Sequence, residues 1–492
     1  MHGVTATATR TPDKVALLVG DVRLTYAELD ERTTRLGHAL LAAGCGGGVV
    51  AAMLPNSLAF VETGVAAGKA GARFLPVNAH LRSDEVRHLL VDSATRLLVV
   101  DEQSLPVARA ALPDQDPPQL LVVGPQLEEL VRAAPTHPAL DSGAAWQPMF
   151  YTSGTTGRPK GVVHAGLDPA RAQLAQQAQA ALWRWTDDDV FLMCGPAYHA
   201  SHCGWAMTAL FVGATTVLMP AWDARQWLHL VERHQATRSF MVPAHFIRLL
   251  ELPPEELAAA DLSSLRIIVH GGAPCRVEVK QRLLGAVAAE VWELYGGSEG
   301  GATRIGPDEW RAHPGSVGRP WPGTEIRILD EHGAQLPVGS TGLVYIRPPG
   351  GARFAYHGDP DKTRDAWVDD VFTVGDIGHL DAEGYLYLTD RASDLVIRGG
   401  VNIYPREVEE ALHTHPDVVD CAVFGVPDER NGEELVAVVE TRPGTTPEQL
   451  RAHLEQHVAR FKVPRDIRLT PALPRDPNGK VLKRLLREDR RW

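Results

Sequence analysis

Short apolar runs separated by helix-forming stretches set the strongest limit on what this chain can build. Such runs stand at residues 49–54, 97–100, 120–123, 190–193, 216–219, 240–242 and 266–269. Strand–helix alternation of this kind implies α/β layers with mostly parallel sheets. The helices have readable starts. Thr25-Tyr-Ala-Glu28 is a capping box, and the helix it opens is expected to stop at Gly44. No internal repeat or low-complexity tract interrupts the pattern. With 492 residues, of which 44% are hydrophobic, the chain has material for at least two domains and an ample core.

The character changes after about residue 325. Residues 324–330, 342–347 and 385–388 read as short strands, with Asp381-Ala-Glu-Gly384 as a hairpin turn. A small α/β module follows. Pro405 opens a helix to about His413, residues 418–426 read as a strand, and Thr446-Pro-Glu-Gln449 caps another helix. The tail from Lys480 is basic. The domain boundary falls near Arg391–Asp394, dividing the chain into residues 1–392 and 393–492.

Charge and cysteine content exclude several classes. Lys+Arg 49 against Asp+Glu 61 gives a net charge of -12, which argues against general nucleic-acid binding. An anionic ligand must therefore be met by local positive charge. No apolar run approaches membrane-span length, and Met1-His-Gly-Val-Thr has no signal-peptide pattern. The five cysteines (45, 194, 203, 275 and 421) are scattered and odd in number, so free thiols in a reducing cytoplasm are expected.

Five constellations carry possible chemistry. The first is Tyr151-Thr-Ser-Gly-Thr-Thr-Gly-Arg-Pro-Lys-Gly161. Thr152, Ser153, Thr155 and Thr156 offer hydroxyls, Gly154 and Gly157 allow close backbone approach, and Lys160 adds charge. That set suits the phosphates of a nucleotide. It is not a Walker A loop, because no Gly-Lys-Ser/Thr follows at the required spacing. A plain Gly/Ser/Thr turn is the alternative; the density of donors beside a lysine favours phosphate. The second is Leu294-Tyr-Gly-Gly-Ser-Glu-Gly300 at the end of an apolar strand, where ligands of open α/β sheets sit. Glu299 could hold Mg2+ bridging phosphates and Tyr295 could stack on a base. A strand-ending turn with an exposed Glu fits equally. The third, Val269-His-Gly-Gly-Ala-Pro274, could admit an adenine edge at Gly271, Gly272 and Ala273. In the fourth, around Gly375-Asp-Ile and Thr389-Asp-Arg391, Asp376 could take ribose hydroxyls with Arg391 in support; a turn Asp and a surface ion pair are the plainer readings. The fifth is Pro474-Arg-Asp-Pro-Asn-Gly-Lys480, a turn holding Lys480 at a loop tip, where a solvated lysine is the default.

Taken in order, these motifs resemble the acyl-adenylate-forming superfamily, which includes acyl-CoA synthetases, peptide-synthetase adenylation domains and firefly luciferase. The resemblance runs from about Thr11 to Arg484 and is closest to fatty-acid-type CoA ligases. It implies a large N-terminal region of doubly wound mixed and parallel sheets, a small barrel-like β subdomain, and a small mobile α+β C-terminal domain that acts as a lid. It implies ATP, Mg2+ and CoA: ATP and acid on the N-terminal domain, and a lid that rotates between two half-reactions. Lys480 would contact the acid and the α-phosphate. His199 would gate the acyl carboxylate, and Glu299 and Thr155 would hold Mg2+. Gly296 and Ser298 would join the nucleotide site, and Gly399 and Gly400 would line the pantetheine tunnel. Ser298 stands where Thr is common. The hinge position carries Ser393, where Asp or Lys is usual.

The presumed acyl pocket draws on His202, Trp205, Met207, Val242, Ala244, His245, Gly271, Gly297 and Gly301. Few charged groups occur there, which suits an apolar acid, and no Asp in 196–205 suggests an amino-acid substrate. The spacing of His199, His202 and Cys203 fits no standard zinc pattern. Gly297 and Gly301 are expected to leave space, favouring a medium or long fatty chain or a bulky alicyclic acid of terpenoid or steroid type. An enzyme loading a carrier-protein pantetheine, or a non-catalytic nucleotide-binding protein, remains an alternative. Homodimers occur among relatives, though no residue pattern demonstrates one here.

Overall fold

The computed structural model describes residues 2–140, 147–152, 159–165, 169–392, 394–398, 401–428, 431–476 and 479–488. Its centre is a nine-stranded sheet. Val15–Val19, Thr215–Leu218, Val190–Met193, Arg238–Met241, Ile267–His270 and Glu290–Gly297 run parallel, and the antiparallel strands Val22–Thr25, Gly300–Ile305 and Arg319–Pro320 complete the edges. A second sheet, Arg73–Pro76, Val49–Met53, Thr95–Val100 and Gln119–Val122, is wholly parallel. Its central strand Val49–Met53 is buried throughout, as a strand covered on both faces must be. The apolar runs read from the sequence are these strands, displaced by a residue or two at their ends.

Local signals explain the helix starts. Thr25 Oγ1 accepts from the Glu28 N–H at 3.2 Å while the Glu28 carboxylate accepts from the Thr25 N–H at 2.7 Å, and the helix runs Tyr26–Ala42. Gly44 follows in the left-handed region at φ 75. Thr446 caps Pro447–His457 in the same reciprocal way.

The middle of the chain is antiparallel. Glu325–Leu329, Gly342–Arg347, Val371–Leu380, Trp367–Val368 and Leu386–Arg391 form a five-stranded sheet, the barrel-like part. A three-stranded sheet of Phe150–Thr152, Lys160–Ala165 and Arg353–Tyr356 lies beside it. After Arg391 the pairing changes completely. Val396–Arg398, Val401–Ile403, Val418–Asp428, Gly432–Thr441 and Asp466–Thr470 form a separate sheet with its own core of Val408, Leu412, Val423, Leu435, Leu450 and Ile467. Among the described residues all five cysteines are free, and no helix is long and apolar enough to cross a membrane.

Candidate active site

The site forms where the central sheet, the antiparallel sheet and the C-terminal module meet. His199 caps the helix Ala200–Val212 and stands on a loop held by Asn56. The Asn56 amide donates to Gly195 O (2.9 Å) and Met219 O (2.7 Å) and accepts from the Ala197 N–H (2.6 Å). Nothing in the sequence near Asn56 announced this, because its partners lie 139 to 163 residues away. Burial and the nearby Lys480 ammonium push His199 down to about 4, so its ring is neutral at physiological pH.

Lys480 sits at the tip of a braced hairpin. Asp476 N–H donates to Lys480 O (2.9 Å), Gly479 N–H to Asp476 O (2.8 Å), and Lys480 N–H to Asp476 Oδ1 (2.9 Å). Arg475 ties the loop to Asp420 at 2.7 Å. The tip is docked on the N-terminal part: a Cβ on Gly479 would stand 2.7 Å from Ala244 Cβ. Lys480 is solvent-accessible yet enclosed by protein on most sides. Desolvation and the Arg391 charge lower its pKa below the usual lysine value, with Asp476, Asp394 and Asp376 opposing. The loop therefore sets the Lys480 ammonium within electrostatic reach of His199, Arg391 and Asp376.

Asp376 is buried, and both of its oxygens are engaged. Tyr295 OH donates to Oδ2 at 2.7 Å and Arg391 Nε to Oδ1 at 3.0 Å. Burial, then the Asp376 charge, hold the Tyr295 phenol well above its ordinary value, so it stays a donor. The sequence suggested Tyr295 for base stacking; in the structure its ring is buried and its hydroxyl orients Asp376. Gly375 N–H donates to Thr373 Oγ1 at 3.0 Å with Gly375 at φ 83, which shapes the bend presenting Asp376.

Glu299 closes the other side. Its Oε1 accepts from Tyr356 OH at 3.0 Å, and Lys362 lies over the Tyr356 ring at 4.7 Å. Lys160 forms an ion pair with Asp359. Tyr356, Lys362 and Asp359 were not foreseen, since they come from a strand and helix some 200 residues beyond Lys160. The Glu299 carboxylate, held by a phenol with Lys362 in its field, fits a Mg2+–phosphate group, which takes one or two protein carboxylates and leaves its other positions to phosphate and water. Thr152 ends the strand beside Lys160. Ser153, Gly154, Thr155, Thr156, Gly157, Ser393, Gly399 and Gly400 lie outside the described residues.

The glycines near the site are explained by close contacts. A Cβ on Gly271 would stand 2.6 Å from Leu294 O, and one on Gly296 would stand 2.7 Å from Gly300 O, so both permit strands to approach. Gly272 has φ 78 with open space around it, and Ala273 follows in the same bend. His164 ties the neighbouring sheet to Ser298 O at 3.1 Å.

Several acyl-pocket expectations are corrected. Gly297 is exposed, and the side its Cβ would take faces the Glu299 carboxylate, with Oε2 2.7 Å from that position, and not an apolar chain. The space over Gly301 is filled by the Trp321 ring, whose Cη2 lies 2.0 Å from the corresponding Cβ position. Met207 turns away to the helix Leu58–Lys69, its Cε 2.8 Å from the Cβ position of Gly64. His245 stacks on Trp222 at 4.0 Å and belongs to the core on the opposite sheet face; burial pushes it down to about 3. His202 is fully buried beside Phe240, and its ring lies over Gly195. Val242 lies in the core cluster on the Ala200–Val212 side of the sheet, and Trp205 packs in an indole group there, 5.3 Å from Trp183. Ala244 meets the loop that carries Lys480.

The comparisons with known proteins agree with this geometry. Residues 4–354 match the model of the AMP-binding enzyme family and residues 407–480 that of the AMP-binding enzyme C-terminal domain. The chain belongs to the AMP-binding enzyme family. It is an adenylate-forming enzyme of the acyl-CoA synthetase type. It is 34% identical to the fatty acid–[acyl-carrier-protein] ligase ScoC of Streptomyces coeruleorubidus, with 98% of this chain and 94% of that protein covered. It is 35% identical to a feruloyl-CoA synthase of an Amycolatopsis species, covering 97% and 96%. ATP-bound MatB from Rhodopseudomonas palustris superposes with a TM-score of 0.87 at 30% identity, covering 99% of this chain and 98% of that one.

Proposed function

We propose that this adenylate-forming enzyme is an acid–CoA ligase for an apolar carboxylic acid, with residues 393–492 as a rotating lid. The carboxylate oxygen attacks the α-phosphorus of ATP and pyrophosphate leaves, giving acyl-AMP. The CoA thiol, losing its proton, then attacks the acyl carbon and AMP leaves. Negative charge converges on the α-phosphorus in the first step, so a fixed cation there contributes most. The observation that carries the reading is the seat of the Lys480 loop, where Gly479 meets Ala244 and the ammonium stands within the field of His199 and Asp376. Asp376, oriented by Tyr295 and Arg391, would take the ribose. Glu299 would hold Mg2+, which would neutralise the leaving phosphates. Lys160 would add charge to the same phosphates.

The test separates the half-reactions. K480A should cut acyl-AMP formation by about 10²–10³ while leaving thioester formation from supplied acyl-AMP near wild type. Acyl-AMP formation at the wild-type rate would refute the role of the lysine.

A second acceptor has a specific argument. One relative loads an acyl-carrier protein. Thioester yield with free CoA against a holo carrier protein decides between them.

A further inference from the structure

The side chains leading away from the catalytic centre are mostly indoles. Along Glu290–Gly297, burial alternates, with Val291, Glu293 and Tyr295 buried and Trp292 and Leu294 only half-buried. Trp292 and Leu294 therefore share the face of Gly296, and Trp292 stands about 13 Å along the strand from Gly296. Gly301 pairs with Gly296 across the hairpin, and Trp321 lies flat over Gly301. Its backbone N–H is fixed to Ala302 O at 3.0 Å. Beyond stand Trp183, 6.4 Å from Trp321 and 6.1 Å from Trp292, and Trp205, 5.3 Å from Trp183. Trp205 comes from the helix that His199 caps, so the same helix supplies the gate and the far wall.

We infer that Trp321, backed by the packed indoles Trp183, Trp205 and Trp292, ends the acid pocket as a short aromatic wall, so that the pocket takes a compact aromatic acid and rejects an extended alkyl chain. The inference rests on the ligase reading above. Three of the indoles are held in place. The Arg304 guanidinium lies over Trp183 (5.7 Å) and Trp292 (5.1 Å), Arg184 lies over Trp292 (5.7 Å), and Trp205 is packed between Trp183, Trp185 and Phe240. Aromatic faces at these separations favour offset or edge contact with a further ring. Trp183 and Trp321 Nε1 are buried with no hydrogen-bond partner among the described residues, and an oxygen on the acid's ring would supply one. Trp321 is the member that lies over Gly301, the partner of Gly296 across the hairpin, so it is the one that sets length.

The test is acid-dependent AMP release and CoA-thioester formation by the full-length protein with benzoic, cinnamic, 4-coumaric, octanoic and palmitic acids. The ring acids should exceed palmitic acid by about a hundredfold in kcat/KM, the discrimination a closed apolar pocket provides. In W321A that ratio should fall by about tenfold or more, while W321F keeps it. Palmitic acid leading in the wild type, or a ratio unmoved in W321A and in W321L, overturns the inference and leaves the ligase reading standing. AMP release with none of the acids overturns the ligase reading and the inference with it.

Discussion

A single backbone angle lets the lid tip reach its seat. Gly479 has φ 81, a region that costs other L-residues about 1–2 kcal/mol, and its missing Cβ leaves room for Ala244. In G479A the strain and the 2.7 Å approach both fall on the docked state. Acyl-AMP formation should drop by about tenfold, with thioester formation from supplied acyl-AMP unaffected, as rapid-quench assays of the two steps would show. The charge of Lys480 gives a second prediction. Its pKa is lowered, so the ammonium is present below that value and lost as pH rises through it, earlier than for an ordinary lysine. The alkaline limb of the acyl-AMP rate should therefore fall early, and K480R, which stays charged, should flatten it. His199, at about 4, contributes no charge change above pH 5. At this scale residue type within ordered motifs made Lys480, Asp376 and Glu299 candidates, and the structure sets Lys480 within the field of Asp376. The sequence was misleading where the question was empty space. Gly297 and Gly301 lack side chains, but whether the vacated volume stays open depends on Glu299 and Trp321, and only packing decides that.

Elements were easier to read than the contacts between them. Strands and capped helices follow from local periodicity and capping, which act over a few residues. The helix Pro405–His413 was foreseen, yet its seat was not. Its last residue, His413, receives Arg276 Nη1 on Nδ1 at 3.0 Å, a bond spanning 137 positions from the helix Val277–Ala286 that Arg276 caps. Its first turn is tied to the antiparallel sheet through Arg406 N–H to Asp390 Oδ2 at 2.9 Å. The Arg276 contact requires a neutral Nδ1 acceptor; burial, then Arg276, push His413 down to about 4, so it is met at physiological pH. R276A should remove a hydrogen bond of about 0.5–1.5 kcal/mol from the docked arrangement. Acyl-AMP formation should fall by about threefold to tenfold, with thioester formation unchanged or faster. Equal loss in both steps would mean the bond supports the N-terminal part instead.

At the scale of the molecule, the layer order follows from alternating apolar strands and helices, and the change of sheet after Arg391 from the shift to short antiparallel strands. What the pattern could not give was the docked pose of the C-terminal module, because its surface reads as solvated until its partner is in place. One feature of that pose-dependent centre reaches beyond geometry. Lys160 and Asp359 already neutralise each other before any nucleotide arrives. Under the ligase reading an entering triphosphate would have to outcompete a fixed carboxylate for that lysine, which would favour a highly charged anion over the singly phosphorylated product. On pyrophosphate release Asp359 would reclaim its counterion, which would weaken rebinding of the leaving group.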